Sequence, residues 1–163
     1  MNKVRLLLLG LPITLSVLAA CGIIPGSSRD DQFCSELSSV MRTAPSKFES
    51  IKAQPRRDDS WNSKISFTGM KECSIEKIGT VINYYTCEAF ESADKQTVEN
   101  AAQKLKQRVQ SCLGESWEPR TRQRDDGPSV SFRQGDNPTY VSLRMRRNIY
   151  DSYYLLKIDV NSD

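Results

Sequence analysis

The 163-residue chain contains no histidine. That absence removes the commonest general base at neutral pH, the imidazole metal ligand, and the Ser-His and Cys-His pairs of nucleophilic hydrolases. The five cysteines include no Cys-x-x-Cys pair and fit no usual zinc spacing, so no metal site is expected. The eight glycines are scattered, with no Gly-rich loop of the kind that cradles phosphate. Long apolar runs are lacking too. The main one, Leu6 to Val17, is about a dozen residues, against the roughly 20 that cross a bilayer as a helix. Among enzyme classes, a carboxylate pair acting on a polymer such as cell wall stays open, because such pairs are recognised by spatial separation rather than by sequence. No catalytic residue is assigned.

What is present begins at the N-terminus. Lys3 and Arg5 precede the apolar run, and small residues Ala19 and Ala20 precede Cys21, the pattern of a secretory signal peptide over residues 1–20. Leu18-Ala19-Ala20-Cys21 resembles the lipobox of bacterial lipoproteins. The resemblance implies cleavage before Cys21, a diacylglyceryl thioether on its sulfur and an acyl group, typically palmitate, on its amine. This covalent lipid is the sole cofactor expected. One C14 chain binds a membrane only marginally, at about 0.8 kcal/mol per buried CH₂, so three chains imply lasting membrane attachment. In that family an Asp after the cysteine favours the inner membrane. Here Gly22 follows, which implies the outer membrane, with the domain facing the periplasm. The resemblance covers the first 21 residues and carries nothing about the fold beyond them.

Gly22 to Asp31 is rich in Gly, Pro and Ser and reads, with the lipidated Cys21, as a tether over 21–31. Ten flexible residues reach roughly 15–20 Å, which keeps the domain, 32–163, close to the membrane. Taking Lys3 and Arg5 from the 23 basic residues leaves 21 against 20 acidic ones. A nearly neutral mature chain gives no support to general nucleic-acid binding.

With Cys21 acylated, Cys34, Cys73, Cys87 and Cys112 remain, an even number that reads as disulfides in an exported chain. Three connectivities are open in principle. The symmetry of Cys73 and Cys87 about Thr80, beside Gly79 in a hairpin turn, favours pairing those two, which leaves Cys34 to tie a first helix to Cys112 on a second.

Phe33, Leu37, Val40 and Ala44 recur at helical spacing, with Asp30 or Asp31 placed to cap the start and Pro45 to interrupt. A short turn through Phe48 and Ile51 follows, and Ala53 to Ser60 reads as a polar loop. Ile65, Phe67, Gly69, Lys71, Cys73 and Ile75 alternate as a strand, with Val81 to Cys87 as its hairpin partner. Val98, Ala101, Ala102, Leu105, Val109 and Cys112 form one stripe of a helix over Asp94 to Leu113, capped by Ser92 or Asp94 and ended at Gly114. The stripe is Ala-rich and without bulky aromatics, which suits packing on a sheet better than lying in a membrane. Strand patterns then run to the end, through Arg120 to Arg124, Val130 and Phe132, Val141 to Met145, and Tyr154 to Val160. The order α-β-β-α-β-β-β(-β) predicts a single small α+β domain: an antiparallel sheet packed by two main helices and stapled by disulfides.

Arg120, Arg122 and Arg124 fall at period-two spacing, as do Arg144 and Arg146, with Arg133 outward beside inward Val130 and Phe132. On strands of one sheet they form a single basic face turned to water. The arginine fork suits carboxylates, so an acidic protein is one expected partner and an anionic envelope polymer another, while Asp125, Asp126 and Asp136 balance part of the charge. In the pairs Tyr84-Tyr85 and Tyr153-Tyr154 one ring faces in and the other out, which offers a second recognition surface. The expectation is a non-enzymatic binding module, such as an inhibitor or immunity-type protein or an accessory subunit of an envelope machine. The oligomeric state is left open.

Overall fold

The computed structural model describes residues 28–79, 82–124, 127–148, 150 and 152–162. The expected signal segment, Cys21 and the expected tether up to residue 27 lie outside the described residues, as do Val81 of the expected strand and Thr80, Asp125 and Asp126 of the expected turns. Helix α1 spans Ser28–Thr43 and puts Phe33, Leu37 and Val40 in the core. It starts before the expected Asp31, so Asp30 and Asp31 sit in its first turn, where carboxylates meet the positive helix end, rather than at its cap. Two 3-10 turns follow, Ala44–Ser46, which contains Pro45, and Glu49–Ile51. The turns bury Ala44 and Ile51, and Phe48 between them is buried as well.

Eight strands form one wholly antiparallel sheet in the order β1-β2-β3-β4-β8-β7-β6-β5. They are β1 Lys52–Arg57, β2 Ser60–Ser63, β3 Lys71–Ile78, β4 Ile82–Ser92, β5 Glu118–Arg124, β6 Gly127–Arg133, β7 Thr139–Asn148 and β8 Tyr153–Ser162. Between β4 and β5 runs α2, Lys95–Leu113, whose first free N–H groups, those of Gln96 and Thr97, are accepted by the Asp94 carboxylate. The helix ends at Gly114.

The expected element order is thus corrected. The Ala53 to Ser60 loop is instead part of the hairpin β1–β2, whereas the four strand patterns after α2 all form strands, β5 to β8. Polar residues can build that first hairpin because it lies at the sheet margin, where β1 is largely exposed and needs no apolar face. The expected strand from Ile65 to Ile75 begins only at Lys71. Upstream, main-chain groups find other partners: Tyr85 donates its hydroxyl to the Ile65 carbonyl at 2.9 Å, and Glu36 on α1 accepts the Thr68 N–H at 2.6 Å and its hydroxyl at 2.7 Å. With those bonds made to side chains from distant positions, the segment delivers Phe67 to the core without joining the sheet.

Both helices lie on one face. The apolar residues of that face, among them Ile75, Tyr85, Phe132, Val141, Leu143, Met145, Leu156, Ile158 and Val160, alternate with polar ones on the other. Phe67 lies edge-on to Phe33 at 5.3 Å and to Tyr85 at 5.1 Å, joining α1 to the sheet through an aromatic cluster. Gly127, at φ +133°, passes β7 so closely that an added Cβ would sit 3.0 Å from the Met145 carbonyl oxygen.

Both disulfides pair as expected. The register Ser74↔Thr86 and Ile75↔Tyr85 sets Cys73 against Cys87, with Cα atoms 4.1 Å apart. Cys34–Cys112 joins α1 to α2 across 78 residues.

Candidate binding face

The helix-free face of the sheet follows from the register. Opposite partners run Arg122, Ser129, Arg144, Lys157 and Glu88 in one row, and Arg120, Ser131, Ser142, Asp159, Thr86 and Ser74 in the next. Arg124 and Arg146 belong to the same face by alternation, as does Arg133. All five arginines singled out in the sequence therefore share one face, and β6 separates the two sets.

Their environments differ. Every residue of β5 is exposed, and Arg120 lies 3.5 Å from the equally exposed Glu118. Arg144 does not face water as expected. Its side chain is 24% exposed and its Nε donates to Asp159 Oδ2 at 2.6 Å. Burial pulls the Arg144 pKa down, but the hydrogen bond and charge of Asp159 outweigh it and hold the guanidinium above its ordinary value. The correction has a plain cause. Asp159, at the centre of the sheet on β8, is fully buried although it lies on the helix-free face, and Arg144 is its counter-charge.

Around this pair the face is polar and largely closed. Arg144 reaches within 5.9 Å of the Tyr84 ring, from the opposite side of β8. The Tyr84 hydroxyl titrates above its ordinary range because of burial first, then the negative charges of Asp159 and Glu76. Glu76 accepts hydroxyls from Ser60 at 2.9 Å and Ser74 at 2.7 Å. Asp159 Oδ1 and its neighbour Thr86 Oγ1 lack hydrogen-bond partners. Arg133 stacks on Tyr140 at 3.8 Å.

The sequence reading did not single out Asp159 or Tyr140. The available signal was one acid inside the apolar run Leu156 to Val160. Of the tyrosine pairs, Tyr85 is buried and Tyr84 lies on the opposite, helix-free face, and Tyr154 packs against the core as expected. Trp61 lies in β2, with the Lys52 ammonium 4.0 Å from its ring centroid.

The helix side offers clefts rather than a face. One, about 760 Å³, lies between α1, α2 and β4 and is walled by Arg29, Met70, Phe90, Lys104, Leu105 and Arg108. Arg108 is engaged there, with Nε 2.8 Å from Asp30 Oδ1 and its guanidinium over Phe33. A second, about 310 Å³, runs between α2 and strands β5 to β7, over Val130, Leu143 and Met145. Among the described residues no cluster of three or more potential ligands could hold a metal ion, and no helix is long and apolar enough to cross a membrane. No protein-family model, no curated protein and no solved structure matches the chain.

Proposed function

We propose that the protein is a non-enzymatic binding module, held to an envelope membrane by lipid on Cys21, that engages an acidic protein partner with its helix-free sheet face. One observation carries this reading: both helices cover the same side of an eight-stranded sheet, and the side left open concentrates Arg120, Arg122, Arg124, Arg133, Arg144 and Arg146 on β5 to β7. The chain as a whole is close to electrically balanced, with 23 basic against 20 acidic residues, so the clustering is a matter of placement. Complementary charge steers an encounter and fixes its orientation, with strong dependence on salt. Two disulfides staple α1 to α2 and β3 to β4, which braces the scaffold behind the face and limits the ordering cost of binding. An inhibitor or immunity-type role suits such a surface, as does an accessory subunit of an envelope assembly.

The test is co-purification of the tagged protein from detergent-solubilised envelopes. The expected result is an acidic protein whose capture weakens as salt rises and is lost with Arg120→Glu/Arg122→Glu, two residues without a structural partner in the core. Turnover of cell-wall polymer that vanishes on replacing a single Asp or Glu would overturn the reading in favour of an enzyme. Anchoring is tested separately: radiolabelled palmitate enters the wild type, and Cys21→Ala removes both label and membrane association.

A further inference from the structure

We infer that the edge of β5 is the place where the partner enters, as an added antiparallel or parallel strand in which acidic residues alternate with apolar ones. The inference rests on the acidic-partner reading and specifies the shape of what binds.

The sheet has two edges, and they differ. β1 is broken by two register shifts and carries Pro55 at its centre, features that blunt an edge against pairing. β5 keeps an unbroken register with β6 over all seven residues, and every one of them is exposed. Its proline, Pro119, sits near one end. Main-chain groups of successive residues in an antiparallel ladder point alternately toward the paired strand and away from it. The hydroxyls of Ser129 and Ser131 reach the Arg122 and Arg120 carbonyls, at 3.4 and 3.5 Å, so the groups of these two arginines point toward β6. Those of Thr121 and Gln123 therefore face the open edge, two N–H donors and two acceptors in register for a further strand, with the Pro119 carbonyl beyond them.

The side chains set the chemistry of that strand. Arg120, Arg122 and Arg124 project from the helix-free face at the roughly 7 Å interval of alternate strand residues, and directly opposite side chains in a new strand would lie about 5 Å away. Acidic residues at every second position meet them. The intervening side chains would fall on the other face, beside Thr121, where the 310 Å³ groove between α2 and the sheet has an apolar floor of Val130, Leu143 and Met145. Those positions want apolar residues. A second copy of this edge is the wrong occupant, since β5 against β5 sets arginine near arginine.

The probe is the synthetic peptide Thr-Glu-Val-Glu-Val-Glu-Thr, titrated by fluorescence anisotropy into the full chain in detergent. A same-composition peptide with its glutamates in one block is the comparison. Strand addition predicts that the alternating peptide binds more tightly and that N-methylation of a single residue whose N–H faces β5 weakens it by up to about tenfold, the loss expected for one net hydrogen bond. Thr121→Pro, which deletes one outward N–H and leaves the arginines, should weaken binding similarly. Because the N-methyl test alters only the peptide, it stands even if Thr121→Pro fails to fold. Equal binding of alternating and blocked peptides, unaffected by N-methylation but abolished by Arg122→Glu, would overturn strand addition while leaving the acidic-partner reading intact. Self-association through β5 in solution, or no alternating-peptide binding at millimolar concentration, would overturn it as well.

Discussion

Removing Arg144 should be far more damaging than its surface position on a sheet face suggests. In Arg144→Leu, the fully buried Asp159 carboxyl is left with no counter-charge at Oδ2, in addition to an Oδ1 that already lacks a partner. Stranding a buried charge costs about 3–5 kcal/mol. The reverse change is milder, because Arg144 keeps 24% of its side chain in water and can turn outward when Asp159→Leu removes its partner. That loss should be about 1–2 kcal/mol, chiefly the forfeited charge-assisted hydrogen bond. The double variant should then be more stable than Arg144→Leu alone, since no buried charge remains to be compensated. Urea denaturation followed by circular dichroism reads all three. With a slope near 2 kcal/mol per molar, the Arg144→Leu midpoint should fall by roughly 1.5–2.5 M. A single-variant loss below about 1 kcal/mol, or a double variant that is simply additive, would show that Arg144 does not hold the Asp159 charge and that the account of this pair is wrong.

Three further expectations concern the staples, the core and a helix cap. Cys34→Ala/Cys112→Ala should cost roughly 4.5 kcal/mol and Cys73→Ala/Cys87→Ala roughly 3, because the first closes the longer loop, and equal midpoints would contradict the chain-entropy ordering. Phe67→Ala should cost about 3–5 kcal/mol in the same urea assay, although Phe67 lies in no strand or helix, because it joins Phe33 to Tyr85; a cost typical of a surface loop would refute that role. The side-chain and main-chain hydrogen bonds of Thr97, with the Gln96 N–H, hold the Asp94 carboxyl below its ordinary range. A depressed folded pKa gives stability that is present above the unfolded value, near 3.9, and lost as pH falls through the folded one, so Asp94→Asn should flatten the acid limb of the stability curve while leaving α2 in place.

How much of this was legible in the sequence depended on whether the signal was local. α2 declared itself because Val98, Leu105 and Val109 repeat at its own period and Asp94 and Gly114 mark its ends. The β3–β4 pairing and its disulfide were legible because a hairpin makes residues equidistant from its turn face each other. The hairpin β1–β2 was not, since a strand at the sheet margin with one partner carries no apolar alternation to detect. Nor was the irregular course from Ile65 to Met70, whose main-chain partners, Glu36 and Tyr85, come from distant positions. Period-two spacing placed the arginines on one face correctly, but could not tell that Arg144 answers Asp159, 15 residues on, and so serves the fold before any partner.

The insertion of β8 between β4 and β7 also sets an order in time. β1 to β4 and β5 to β7 can each pair by short connections as they emerge, yet nothing joins the two groups into one sheet until Tyr153–Ser162 has been made. Until then β4 and β7 are both open edges, carrying the long runs that later flank the sheet's centre. The pairing of β8 with β7 is a local hairpin, but its closure onto β4, far back in sequence, is slow compared with hairpin formation. The chain thus stays pliable until β8 is made, and a cut just before Tyr153 would leave two adhesive half-sheets rather than a smaller domain.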